Sequence, residues 1–293
     1  LQGTYDIVIS GTGLTEQLVS GCLANARKKV INFEKNQDYG GLLKTKGIHD
    51  FVKWAQENGT IYTNNISKKL SPPVRNFSYE IDLYPLVVLS RDDLIDVLIN
   101  SKTIDCLTTY LMEGLYFRTK DSFALFPSSK STIFSNKAIP LRQKRILTKF
   151  LTFFLPSEDY GHTIDTSEIQ TKYDEFQDKP FKDFLTALSF NDDLCGAFEY
   201  LLAMASQPLL TKEAVPRIRS FLSSFGRYGP TPFINFAYGA SDIPQVFARY
   251  SAIWGTPYCL DEYPVKIERD EEKDELVLQF KQTGEIRTKI FIA

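Results

Sequence analysis

Tyr5-Asp-Ile-Val-Ile-Ser-Gly-Thr-Gly-Leu-Thr-Glu-Gln-Leu-Val-Ser-Gly21 is the stretch that decides the fold. Tyr5 to Ser10 reads as a buried strand, rich in β-branched residues and stopped by a glycine. Gly11-Thr12-Gly13 follows. Leu14 to Ala26 then places Leu14, Leu18, Val19, Cys22 and Leu23 on one helical stripe, and Lys29 to Glu34 reads as a second short strand. Strand, glycine turn, helix and strand make a βαβ opening, which predicts an α/β fold with a parallel sheet of the FAD/NAD(P)-binding, Rossmann-like type.

The glycine loop begins the dinucleotide fingerprint without completing it. A third glycine or alanine is needed three positions after Gly13, for close packing of helix on sheet. The residue there is Glu16. A carboxylate in the first turn suits the helix dipole, but it competes with a pyrophosphate for the same amides. Glu34, ending the second strand, stands where a ribose-binding acid would. Two readings stay open: a bound flavin or nicotinamide, or a dinucleotide-type fold that has lost its cofactor. Glu16 favours the second. The sequence has no nucleophile elbow, P-loop lysine or His-based dyad, so catalytic machinery is not expected.

Composition sets the outer bounds. The 293 residues suffice for one large or two medium domains, and 22 Phe with 15 Tyr can fill a sizeable core. A net charge of -2 argues against the basic face of a nucleic-acid binder. The longest apolar runs, such as Ile146 to Leu155, are interrupted by Thr148, Lys149 and Thr152 and fall short of a membrane span. Cys22, Cys106, Cys195 and Cys259 lie far apart without a CxxC, and His49 and His162 have no neighbouring ligand. Buried reduced thiols and no metal site are the expectation. No cleavable signal is visible; Leu1 is not an initiating residue, so the natural N-terminus is expected upstream.

Further along, Ile48 to Asn58 predicts a helix ended by Gly59. Leu83 to Leu89 predicts a strand or buried extended segment, and Ser90-Arg-Asp-Asp93 a helix start capped by Ser90. After Leu115 to Leu125, which reads as strand, helical periods dominate: Arg142 to Leu155 stopped by Pro156, Phe181 to Ser189, Asp192 to Ser206, and Lys212 to Phe225. Gly226 to Pro232 is a turn cluster. Ile243 to Ile253 is helical, and Val265 to Glu268, Leu276 to Lys281 and Glu285 to Ile292 return to strands. The expected layout is a dinucleotide-fold domain over 1–102 and 225–293, with an inserted, mainly helical domain over 103–224.

Four stretches together resemble the Rab escort protein and GDP-dissociation-inhibitor family. They are Ser10 to Gly21, whose Gly-Thr-Gly-Leu-Thr-Glu core contains Glu16; Lys35-Asn-Gln-Asp-Tyr-Gly-Gly41; Gly226-Arg-Tyr-Gly-Pro-Thr-Pro-Phe233; and Tyr238 to Gly255, continuing to Tyr258-Cys-Leu260. Their order and spacing agree with the family. Ser90 to Ser101, Ile133 to Phe153 and Tyr258-Cys-Leu260 are similar to the escort branch, and the divergence suggests a fungal or other lower-eukaryote member. Members continue past Ala293, so a C-terminal part is expected to be missing.

The resemblance implies a dinucleotide-type fold with no cofactor and no chemistry of its own. It implies an escort in the cytoplasm, transiently at membranes, that binds GDP-bound Rab GTPases, presents them to Rab geranylgeranyltransferase and shelters the geranylgeranyl lipid. The alternatives are an inhibitor that extracts prenylated Rab from membranes, and a flavin oxidoreductase using the Gly11 loop. Carried over by position, the GTPase-gripping platform falls on Tyr39, Asp242, Gln245, Arg249 and Cys259. Asp242 stands where the inhibitors have Glu, and Cys259 where they have Met. Gln245 and Arg249 are four apart and share a helix face; taken alone they read as exposed helix residues. Phe198 falls at a transferase contact; taken alone it reads as core. Gly196, Ala197, Ala203 and Ala205 are small enough to let helices part for an isoprenoid.

Overall fold

Gly3–Ser10, Leu14–Asn25 and Val30–Glu34 form the βαβ opening in the computed structural model. The structure describes residues 3–59, 80–118, 122–126, 130–136, 139–154 and 165–293. The two strands pair in parallel, Ile7 opposite Val30 and Ile9 opposite Asn32. They sit in a six-stranded sheet ordered Tyr258–Leu260, Val30–Glu34, Gly3–Ser10, Glu285–Ile292, Glu275–Phe280, Pro264–Asp270. The first four strands run parallel, and the last two continue from Glu285–Ile292 as an antiparallel meander. Alternation assigns the faces. Ile7, Ile9 and Val30 pack with Val19 and Leu23 of the helix; Val8, Ile31 and Phe33 pack on the other face with Leu278 and Ile286. Phe33 and Phe280 stack there with ring centres 3.8 Å apart. Burial on both faces explains why the central strands read as apolar runs.

The chain divides into two units, one of 1–86, 98–109 and 235–293, the other of 87–97 and 110–234. The second is mainly helical: Leu141–Phe154, Ser167–Phe176, Phe181–Ala187, Asp192–Gly196 and Thr211–Ser223, with a hairpin of Tyr116–Arg118 and Phe123–Leu125. Its core is built on phenylalanine. Phe150 meets Phe154, Phe190 and Phe198 at 4.8, 5.1 and 4.6 Å between ring centres, and such tilted pairs contribute about 0.5–1.5 kcal/mol each beyond burial. Among the described residues no helix is long and apolar enough to cross a membrane.

Local expectations are revised at several points. Leu83 to Leu89 is not one strand. Only Val88–Leu89 pairs, since Pro85 has no amide to donate to a ladder. Ser90 does not cap: its hydroxyl donates to the Ser224 carbonyl at 2.6 Å. The helix Asp93–Asn100 instead has its Leu94 amide bonded to the Asp92 carboxylate at 2.9 Å. Asp192 to Ser206 is not one α-helix, because after Gly196 the backbone widens into a π turn over Ala197–Leu202. Cys195 and Cys259 are buried but Cys22 and Cys106 are exposed, Cys22 on the outer side of the first helix and Cys106 at the end of the short turn Thr103–Cys106. Leu155, Pro156 and His162 lie outside the described residues.

Candidate functional site

Gly11, at φ +121°, turns the chain from strand to helix, its amide donating to the Phe33 carbonyl at 2.7 Å. Glycine adopts that angle without a steric penalty. Thr12 donates from its amide and its hydroxyl to one oxygen of Glu34, at 2.9 and 2.7 Å. Asn36 donates from its amide and its side chain to the other, at 3.0 and 2.7 Å. Glu34 is buried, and both its oxygens are engaged within the chain. Glu16 folds back on the loop: a methyl added at Gly13 would meet its carboxylate oxygen at 2.5 Å. The Gly40-Gly41 turn closes in as well. Gly40 donates to the Thr12 carbonyl at 3.2 Å, and a methyl at Gly41 would come within 3.0 Å of the Gly13 Cα.

A cleft of about 1010 Å³ remains beside the loop, bounded also by Leu43, Tyr84 and Phe291. Its residues do not fit a dinucleotide. A carboxylate rests where a phosphate would need the helix amides and their positive field. The acid that would hold a ribose already accepts four hydrogen bonds. Of the two readings of the loop, the geometry favours the one without a cofactor.

On the same unit, the helix Asp242–Ile253 packs against Leu14–Asn25. Gly21 lies at this contact, where a methyl would sit 3.5 Å from the Tyr250 ring, an ordinary packing distance. The start of this helix is locked. Asp82 accepts from the Ala240 amide at 2.8 Å and from the Thr45 hydroxyl at 2.5 Å, and that hydroxyl oxygen accepts from the Ser241 amide at 3.2 Å. Gly239 passes at φ +88°, so close that a methyl would meet the Asp82 and Thr45 side chains at 2.5 Å. With Ile243, Val246, Phe247 and Ala248 facing inward, Arg249 is exposed, and its side chain makes no hydrogen bond or close ion pair among the described residues. Gln245 is half-buried and donates to the Ser241 hydroxyl at 3.1 Å. Burial pushes the carboxyl of Asp242 above its ordinary range, against the pull of a Tyr238 backbone hydrogen bond and of Arg249.

Tyr39 lies half-buried in the neighbouring turn, its ring 5.8 Å from that of Tyr258. The Tyr258 hydroxyl donates to the Gln17 side-chain carbonyl at 2.6 Å. Burial raises both phenols above their ordinary value. A methyl on Gly40 would meet the Ser241 Cβ at 3.3 Å, so this turn touches the start of the Asp242 helix. Beside it Asp38 pairs with Lys44 and Lys46 at 3.0 and 3.4 Å, and the Lys44 hydrogen bond holds its carboxyl below the usual range.

Tyr39, Asp242, Gln245 and Arg249 are thus carried by two adjoining segments. Cys259 is not presented with them. It is 8% exposed, packed with Val8 and Phe33 on a sheet face, and burial pushes its thiol up. Phe198 is wholly buried against Phe150 and Phe190. The sequence reading placed Gly239 and Tyr258 in family-like stretches without giving either a role, and did not single out Thr45 or Asp82. Thr45 and Asp82 lie 196 and 158 residues from the amides they fix, a separation that no local pattern spans.

The comparisons with known proteins follow the same line. A family described as GDP dissociation inhibitor matches residues 1–292. The chain is 25% identical to the Rab proteins geranylgeranyltransferase component A of Drosophila melanogaster, over 94% of this chain and 56% of that protein. It is 28% identical to the protein of the same name in Saccharomyces cerevisiae, over 88% and 43%, and 30% identical to the Rab GDP-dissociation inhibitor of Pyricularia oryzae, over 88% and 55%. It therefore spans about half the length of these relatives. Among solved structures, the Rab GDI of Plasmodium falciparum matches with a TM-score of 0.68 at 17% identity, over 99% of this chain and 65% of that one. A putrescine oxidase matches at 0.54 and 13%, over 100% and 58%. Both structural likenesses carry the fold alone. With the family match running from the first residue to the last but one, the chain belongs to the GDP dissociation inhibitor family.

Proposed function

We propose that the chain is a Rab escort protein. It grips GDP-bound Rab GTPases through Tyr39, Asp242, Gln245 and Arg249, presents their C-terminal cysteines to Rab geranylgeranyltransferase and hands the prenylated product to membranes, with no chemistry of its own. The observation that carries this reading is the locked helix start. Asp82 and Thr45 hold Ala240 and Ser241 in place, so Arg249 stands on a rigid element. A pre-ordered surface loses little conformational freedom on binding, and an arginine can fork two hydrogen bonds to carbonyls or a carboxylate. In this reading Cys259 contributes packing rather than contact.

The helical unit supports the lipid and transferase side. A groove of about 460 Å³ runs between the Tyr116–Arg118 strand and the π turn, with Phe117, Gly196, Ala197 and Leu201 in its walls together with the charged Arg118, Asp192 and Asp193. π turns recur at functional sites, and the two small residues leave room for an isoprenoid. Phe198 would support that wall from the core. A geranylgeranylated Rab carrying a photoreactive lipid should label this unit, and labelling confined to the other unit would count against the assignment.

The relatives named geranylgeranyltransferase component A support the escort branch. The Pyricularia relative, at 30% identity, favours the second reading, a GDP-dissociation inhibitor. Prenylation of an unmodified Rab by its transferase, with and without the chain, separates them. The escort reading predicts strong stimulation of lipid transfer. Absence of stimulation, together with extraction of prenylated Rab from vesicles, would assign the inhibitor.

A further inference from the structure

Gln245, Arg249 and Ile253 recur at every fourth position and so form one stripe along the Asp242–Ile253 helix. The far end of that stripe carries an anomaly. Ile253 is 80% exposed, on a helix whose other large aliphatic residues, Ile243 and Val246, are buried. Gly255, at φ +93°, ends the helix, its amide donating to the Ala252 carbonyl at 2.9 Å. Trp254 is held in place beside Ile253. The Arg27 guanidinium lies 4.2 Å over its ring, and Tyr250 meets its edge with ring centres 6.4 Å apart.

Single exposed isoleucines are ordinary. This one is set apart by its surroundings. Arg249 lies one turn back, and Arg27, just after the neighbouring helix, lies over Trp254; both arginines are exposed. An apolar knob flanked by two arginines complements an apolar side chain flanked by carboxylates. Resting on the platform reading above, we infer that Ile253 extends the GTPase-gripping surface by one turn, and that it seats an apolar residue of the GTPase which acidic neighbours flank. A bilayer would meet only one fully presented aliphatic side chain here, whereas a partner surface can bury it completely and pair the surrounding cations.

The test measures affinity of this chain for a GDP-loaded Rab GTPase, with thermal melts alongside. Ile253→Asp should weaken binding about tenfold or more, the range of an interface anchor, and leave Tm unchanged. Asp at a helix C-terminus opposes the dipole. If that variant melts early, Ile253→Ala decides, and it should still bind more weakly. Arg249→Ala is run in parallel. Unchanged affinity at position 253 beside a weakened Arg249→Ala overturns the inference and leaves the platform standing. Unchanged affinity in both removes the platform itself. A loss on phosphatidylserine vesicles with Rab affinity intact also overturns it, making the patch a membrane contact.

Discussion

Asp242 sits at the start of its helix at an energetic disadvantage. Burial raises its carboxyl above the ordinary range and Asp82 adds to this, while the Tyr238 backbone hydrogen bond and Arg249 only partly offset it. The folded chain therefore holds this proton more tightly than the unfolded chain. The ionised side chain costs stability above the raised pKa, and the cost fades as pH falls through the usual carboxylate range. Asp242→Asn is expected to raise Tm at neutral pH, to lose that gain in melts well below pH 4, and to weaken GTPase binding. A neutral-pH Tm at or below that of the parent would contradict this account. Single residues were unevenly legible in the sequence. Glu16 could be read as hostile to a phosphate from spacing alone. The burial of Cys259 could not, because its face depends on the pairing of Tyr258–Leu260 with Asn32, Phe33 and Glu34, set by a segment more than 200 residues away.

At the scale of elements, the Asp242 helix was legible from its apolar period, but the bonds that aim it were not. Gly239→Ala should expose them. The positive φ alone costs about 1–2 kcal/mol for a residue with a Cβ, and the methyl would also collide with Asp82 and Thr45. The expected outcome is a lower Tm together with weaker GTPase binding, read by calorimetry and a binding titration; parental values in both would discount the lock. The π turn at Ala197–Leu202 escaped the sequence reading because α and π windings share one apolar stripe over so short a stretch. Ser90 misled for another reason: its hydroxyl is drawn to the Ser224 carbonyl, and an adjacent acid takes over at the helix start.

At the scale of the whole molecule, the βαβ opening and the closing strands were legible because burial on two faces leaves long apolar runs. The sheet order was not, since Glu285–Ile292 pairs with Gly3–Ser10 across almost the entire chain. The helical unit depends on its aromatic core. Phe198→Ala should destabilise it by about 3–5 kcal/mol, seen in denaturant melts. A variant that melts like the parent would mean that Phe198 is not packed as described. In the proposed function a dinucleotide-type scaffold, its glycine loop closed by Glu16, serves as a rigid surface for a GTPase. The most direct test is the rate at which a Rab releases labelled GDP as the chain is titrated in. The account predicts that the parent chain slows release in a saturable manner, and that Arg249→Ala needs about tenfold more protein for the same effect. Release unaffected by the parent chain, or slowed equally by both proteins, would contradict it.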